Sequence, residues 1–176
     1  MAPSATAAAI TIALAAALIG AGEASAARRD WHACSKTATK AAAEQAGLPA
    51  RMDADASLRT VFGDVAPSSA LTTVARSLCA DFDGDGDVDR LARYTCCTVS
   101  SPSPVVILRR VGAGYAIVYA RYDEAVFEIR GAGREVIQEA PSYAPDDANC
   151  CPSKIRERRI RWNGTRFTTR VRIRPS

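Results

Sequence analysis

The sequence predicts an α+β fold, with two N-terminal helices packed on an antiparallel β-meander and the whole stapled by disulfides. Three observations carry that expectation. Residues 27 to 80 are alanine-rich, with apolar side chains at helical spacing. Residues 90 to 176 break into short β-prone runs separated by glycine turns. Six cysteines are spread over both parts.

The chain opens on a leader. Ile10 to Ile19, "ITIALAAALI", is an apolar run followed by Gly20 and the small residues "AGEASAA". Ala24-Ser25-Ala26 is an A-x-A cleavage signature, and the run falls short of the roughly 20 apolar residues a membrane span needs. The n-region, "MAPSATAAA", has no Lys or Arg. Cleavage after Ala26 leaves residues 27–176 as one secreted or periplasmic domain, expected to be a monomer with no membrane span. Every Lys and Arg and all but one acid, Glu23, lie beyond the cut, so 23 basic residues face 18 acidic ones, a charge of +5. So modest a balance points by itself to neither nucleic acid nor a membrane surface.

Asp30 to Ala46, "DWHACSKTATKAAAEQA", predicts the first helix, with Asp30 as N-cap and Gly47 as the stop before Pro49. The second is predicted over "SSALTTVARSLC", where Leu71, Val74, Ala75 and Leu78 fall at i, i+3, i+4 and i+7 behind Ser68 or Ser69. Residues 51 to 67 stay open between a short strand and another helical turn. Strands are expected at 90–98, 104–111, 115–121, 125–130 and 134–139, with turns at "GAG" 112–114, "RYDE" 121–124 and "GAG" 131–133. Those gaps are too short for crossover helices, so the pairing should be antiparallel.

The chain ends on a basic hairpin. "RWNGTRF" places Asn163-Gly164 between two strands, the pair a two-residue type I′ turn favours, which sets Ile160 opposite Phe167. Phe167, Thr169, Val171 and Ile173 then alternate with Arg166, Thr168, Arg170, Arg172 and Arg174, so one face should be packed and the other basic. Arg158 and Arg156 fall on the apolar side, which requires either a bulge near Arg158 or an end open to water.

All six cysteines, Cys34, Cys79, Cys96, Cys97, Cys150 and Cys151, survive cleavage. In an exported chain they read as a disulfide framework. Adjacent residues on a strand face opposite ways, so each "CC" should reach two partners. Bridges between the two "CC" sites, with Cys34 joined to Cys79, are the favoured arrangement. Zinc is disfavoured, because C-x-x-C spacing is lacking and His32 is the single histidine.

"DFDGDGDVD", Asp81 to Asp89, gathers five carboxylates in nine residues. Asp81, Asp83, Asp85 and Asp89 stand at positions 1, 3, 5 and 9 of a loop, Gly86 at the sharp turn, and Asp87 can offer its carbonyl. Without an ion such carboxylates repel one another; the pattern calls for a hard cation, and Ca2+ is the expected one. Position 12 is Ala92, not the bidentate acid of an EF-hand. The stretch resembles instead the calcium loop of FG-GAP or VCBS-type repeats, D-x-D-G-D-G-x-x-D running into a strand, although it occurs once here and Arg90 stands where those repeats carry an apolar residue. Together with Cys150 to Ser153 and Trp162 to Phe167, it is also similar to small exported actinobacterial lipoproteins and their secreted relatives, minus the lipidation cysteine. The resemblance implies a calcium loop and no particular activity.

Catalytic chemistry has little to stand on. His32 is the sole candidate for a histidine-based site, and Asp123, Glu124, Glu128, Glu135 and Asp146 offer carboxylates whose spacing selects no pair. The basic face of Arg166, Arg170, Arg172 and Arg174 suits an anionic surface polymer. It suits nucleic acid less, since aromatics for base stacking are scarce there. The expected function is a non-enzymatic, calcium-stabilised exported module. A small secreted hydrolase built around the acidic loop is the alternative.

Overall fold

The computed structural model describes residues 28–96, 101–122, 125–148 and 150–176. The leader expected over 1–26 lies outside them, as do Cys97, Asp123 and Glu124. Among the described residues the helices are α1 (Lys36–Gln45), α2 (Leu48–Ala54), α3 (Ala56–Phe62) and α4 (Pro67–Ala70). The strands form two antiparallel sheets. The first runs in the order β1 (His32–Ala33), β2 (Thr73–Ala80), β3 (Asp89–Thr95), β4 (Val105–Val111) and β5 (Gly114–Arg121). The second holds β6 (Glu128–Ala132), β7 (Glu135–Ser142), β8 (Lys154–Trp162) and β9 (Phe167–Pro175).

The first sheet is a middle layer. On one face Ala43, Leu48, Met52 and Leu58 of the helices bury Val74, Ala92, Val106 and Leu108. On the other, Leu78, Leu91, Val105 and Ile107 meet Val126 of the β5–β6 connection and Ile129, Val136 and Ile160 of the second sheet. Strand β4 is therefore covered on both sides, and Val105, Val106, Ile107 and Leu108 are each 0% exposed. Full burial of such side chains is worth about 1.5–3 kcal/mol apiece before entropy is charged. The mixture of helix and antiparallel strand matches the expected class, but the single meander does not. It divides at the β5–β6 connection into two stacked sheets.

Two helix assignments need correcting. The first helix begins at Lys36, capped by Ser35, whose Oγ accepts from the Ala38 amide at 3.2 Å. Asp30 is no cap, because His32 and Ala33 extend to pair with Cys79 and Leu78. Gly47 does end the helix, at φ 76°. The second expected helix survives only as the four residues of α4, and the rest is strand β2. A bulge between Val74 and Arg76 turns Val74 toward the helices and Leu78 toward the second sheet. That gives a strand buried on both faces the four-residue apolar spacing of a helix.

The last hairpin also differs. Trp162 pairs with Phe167, so Ile160 faces Thr169 and not Phe167. The turn is a four-residue loop in which Asn163 Oδ1 accepts from the amides of Thr165 (3.0 Å) and Arg166 (2.9 Å). These side-chain bonds open the two-residue turn that Asn-Gly alone suggests. Pairing continues without a bulge; Val171 and Ile173 are 53% and 55% exposed, but Arg158, opposite Val171, is buried at 5%, so that end opens to water only on the β9 side. The expected packed face of β9 is thus confined to Phe167.

Cys34, just after β1, and Cys79 on β2 form the expected disulfide. Cys150 and Cys151 are exposed and unbridged. A second close approach ties the layers, where Trp31 lies over Gly131 so tightly that a Cβ there would overlap its carbonyl. The Trp31 amide donates to Gly133 O at 3.0 Å.

Candidate metal centre

The acidic loop joins β2 to β3, at the end of the middle sheet that carries the β6–β7 and β8–β9 turns of the second sheet. Its own backbone shapes it. Asp81 accepts from the amides of Gly84 (2.6 Å) and Gly86 (3.3 Å), Asp83 from Asp85 (3.3 Å), and Asp85 from Asp87 (2.9 Å). Gly84 and Gly86 take φ 85° and 93°, values that favour glycine. Asp89, 0% exposed, accepts from the Phe82 amide (3.2 Å) with one oxygen and the Arg110 amide (2.9 Å) with the other.

Three of the five carboxylates converge. Asp81, Asp83 and Asp89 each present an oxygen within 4.8 Å of the others. An ion about 2.4 Å from two such oxygens spans that distance, the bond length of a hard cation with carboxylate ligands. Asp85 and Asp87 are exposed and stand outside the cluster. Burial, reinforced by the charges of Asp83 and Asp85 and opposed by the two amide donors, raises Asp89 to about 7. On the open side Arg109 Nε lies 2.9 Å from Asp83 Oδ2.

A cleft of about 470 Å³ adjoins the cluster. Asp83 and Phe82 form one wall, Arg134 comes from the β6–β7 turn, and Arg161, Trp162 and Arg170 come from the last hairpin. Its base is aromatic, with Phe82 5.0 Å from Trp162 and 4.7 Å from Phe167 between ring centroids.

The expected basic face is divided by its partners. Arg174 lies 3.1 Å from Glu139, and Arg172 lies 3.8 Å from Glu157. Arg166 sits in the exposed turn, and Arg170 lines the cleft. Arg134 and Arg161 escaped the sequence reading because only sheet pairing brings those two turns together; neither residue carries a local signal. Of the catalytic candidates, Glu135 is held by Arg159 at 3.3 Å. His32 Nδ1 lies 2.9 Å from Asp30 O on the short strand β1.

Comparison with known families, with curated proteins and with solved structures gives no match.

Proposed function

We propose that this chain is an exported, non-enzymatic module whose acidic loop is ordered by one calcium ion and whose basic end binds an anionic surface polymer. The observation that carries the calcium reading is the convergence of Asp81, Asp83 and Asp89 in a loop whose amides already point at their carboxylates. An all-oxygen donor set suits a hard cation over zinc or copper. Calcium, tolerant of irregular geometry, suits a curled loop better than magnesium, which demands a near-ideal octahedron. The Cys34–Cys79 disulfide fits an oxidising compartment. No helix among the described residues is long and apolar enough to cross a membrane.

The hydrolase alternative would need a carboxylate free to move a proton at the cleft. Asp83, the carboxylate lining it, is engaged by Arg109, which favours a binding role. Titration calorimetry on oxidised residues 27–176 tests the calcium reading. One site per chain is expected for calcium, weaker binding for magnesium, and loss of the calcium heat in Asp83→Ala. Equal heats in parent and variant would remove the loop from the account.

A further inference from the structure

We infer that the cleft beside the metal centre is a binding site for an acidic saccharide, with a carboxylate of the sugar held by Arg134, Arg161 and Arg170. The inference rests on the proposed binding of an anionic polymer and moves the contact from the exposed edge of the hairpin into the cleft.

Charge is the first reason. Across the outer face of the second sheet, Arg159, Arg172 and Arg174 are answered by Glu135, Glu157 and Glu139 at 2.9 to 4.0 Å. Two of the three cleft arginines are not. Arg134 and Arg170 form no ion pair among the described residues, and Arg161 approaches Glu135 only at 3.9 Å, with 61% of its side chain exposed. The one acidic wall residue, Asp83, is already matched by Arg109. Three guanidinium groups thus border one concave space, two of them with no protein anion among the described residues and the third only loosely paired, and guanidinium is suited to paired contacts with an oxyanion.

The rest of the lining selects the class of anion. A bare phosphate would use the arginines and leave the remainder idle. The half-buried ring of Trp162 offers an apolar platform, while Asn163 and Thr168 offer amide and hydroxyl partners at the same rim. A saccharide presents hydroxyls and an apolar ring face together with its acid group, so it engages all three kinds of surface. The volume lies within the range of small-ligand sites, about 300–1,000 Å³. Asp83 belongs to both the carboxylate cluster and the cleft wall. Loading the cluster with a divalent cation therefore makes the cleft more positive and should tighten anion binding.

The test is a calorimetric titration of oxidised residues 27–176 with trigalacturonate, in EDTA and in about 1 mM calcium, a concentration at which extracellular calcium sites fill. Polyphosphate and oligothymidylate serve as competing probes. Saturable binding is expected, tighter with calcium, and weakened at least about tenfold in Arg134→Ala/Arg170→Ala, a loss of roughly 1.4 kcal/mol. Arg134→Lys/Arg170→Lys, which keeps the charge but not the planar fork, should fall between. Arg166→Ala/Arg172→Ala, outside the cleft, should bind like the parent. Thermal melts of each variant confirm that folding is intact. If the parent binds and the cleft variants bind equally well, the cleft is overturned while the anionic-polymer reading stands. If polyphosphate or oligothymidylate binds as tightly as trigalacturonate, the saccharide class is overturned. If none of the three binds the parent, both readings fall.

Discussion

Asp89 is the most constrained carboxylate in the loop, with no exposed surface and an amide donor on each oxygen. Burial first, and then the charges of Asp83 and Asp85, put it at about 7 against an ordinary value of 3.8. The folded chain therefore keeps this proton over a pH range where the unfolded chain has lost it. By linkage its contribution to stability is present below about pH 4 and is lost as pH rises through about 7. In EDTA the thermal midpoint of the parent should fall relative to that of Asp89→Asn between pH 5 and 8. Taking the difference cancels Asp55 and Asp147, whose lowered values act in the opposite sense at the acid end. Parallel curves would contradict the assignment. The five aspartates were plain in the sequence, but the choice among them was not. Asp83 and Asp85 each accept the amide two residues on, yet only Asp83 turns toward Asp81 and Asp89. That difference depends on where Arg109 and β4 lie, which local spacing does not encode.

Among the elements, burial on two faces explains most of what the sequence obscured. Strand β4 reads as a continuous apolar run and was found in place. Strand β2 shares its double coverage, but carries a bulge and borrows the spacing of a helix. Strand β9 errs in the other direction. Its alternation is real, yet it is an edge strand, so Val171 and Ile173 face water between Arg170, Arg172 and Arg174. Charged residues on an exposed edge discourage pairing with another chain. Arg170→Thr/Arg172→Thr should therefore raise light scattering at micromolar concentration and physiological salt while leaving the thermal midpoint nearly unchanged. Unchanged scattering would show that the arginines do not protect this edge.

In the whole molecule the two "CC" sites come into relation only through the topology. Strand β3 runs out toward Cys96 beside the start of β4 and the end of β5. The second sheet begins β6 and β8 and ends β7 at that same end, where Arg93 Nη1 donates to Val126 O at 2.5 Å, just before β6. The loops that carry Cys96 and Cys150-Cys151 thus leave the two sheets on one side, opposite the metal centre. Peptide mapping of oxidised protein should find Cys34–Cys79 and, where the thiols of Cys150 and Cys151 that are free in this structure oxidise further, bridges from them to the Cys96-Cys97 loop. Recovery of those loops as free thiols would limit the staple to the helical side. The layer count was beyond the sequence for a related reason. Nothing in "RYDE" distinguishes a hairpin turn from the passage between two stacked sheets.

The calcium loop is the central claim, and the thermal midpoint of oxidised residues 27–176 in EDTA and across a calcium titration tests it most directly. For a site with Kd of about 10⁻⁴–10⁻³ M, linkage at about 1 mM calcium supplies roughly 0.4–1.4 kcal/mol. For a chain of this size that is a rise of about 1–5 °C. The account predicts that rise in the parent and none in Asp83→Ala. No rise in the parent, or the same rise in both proteins, would contradict it.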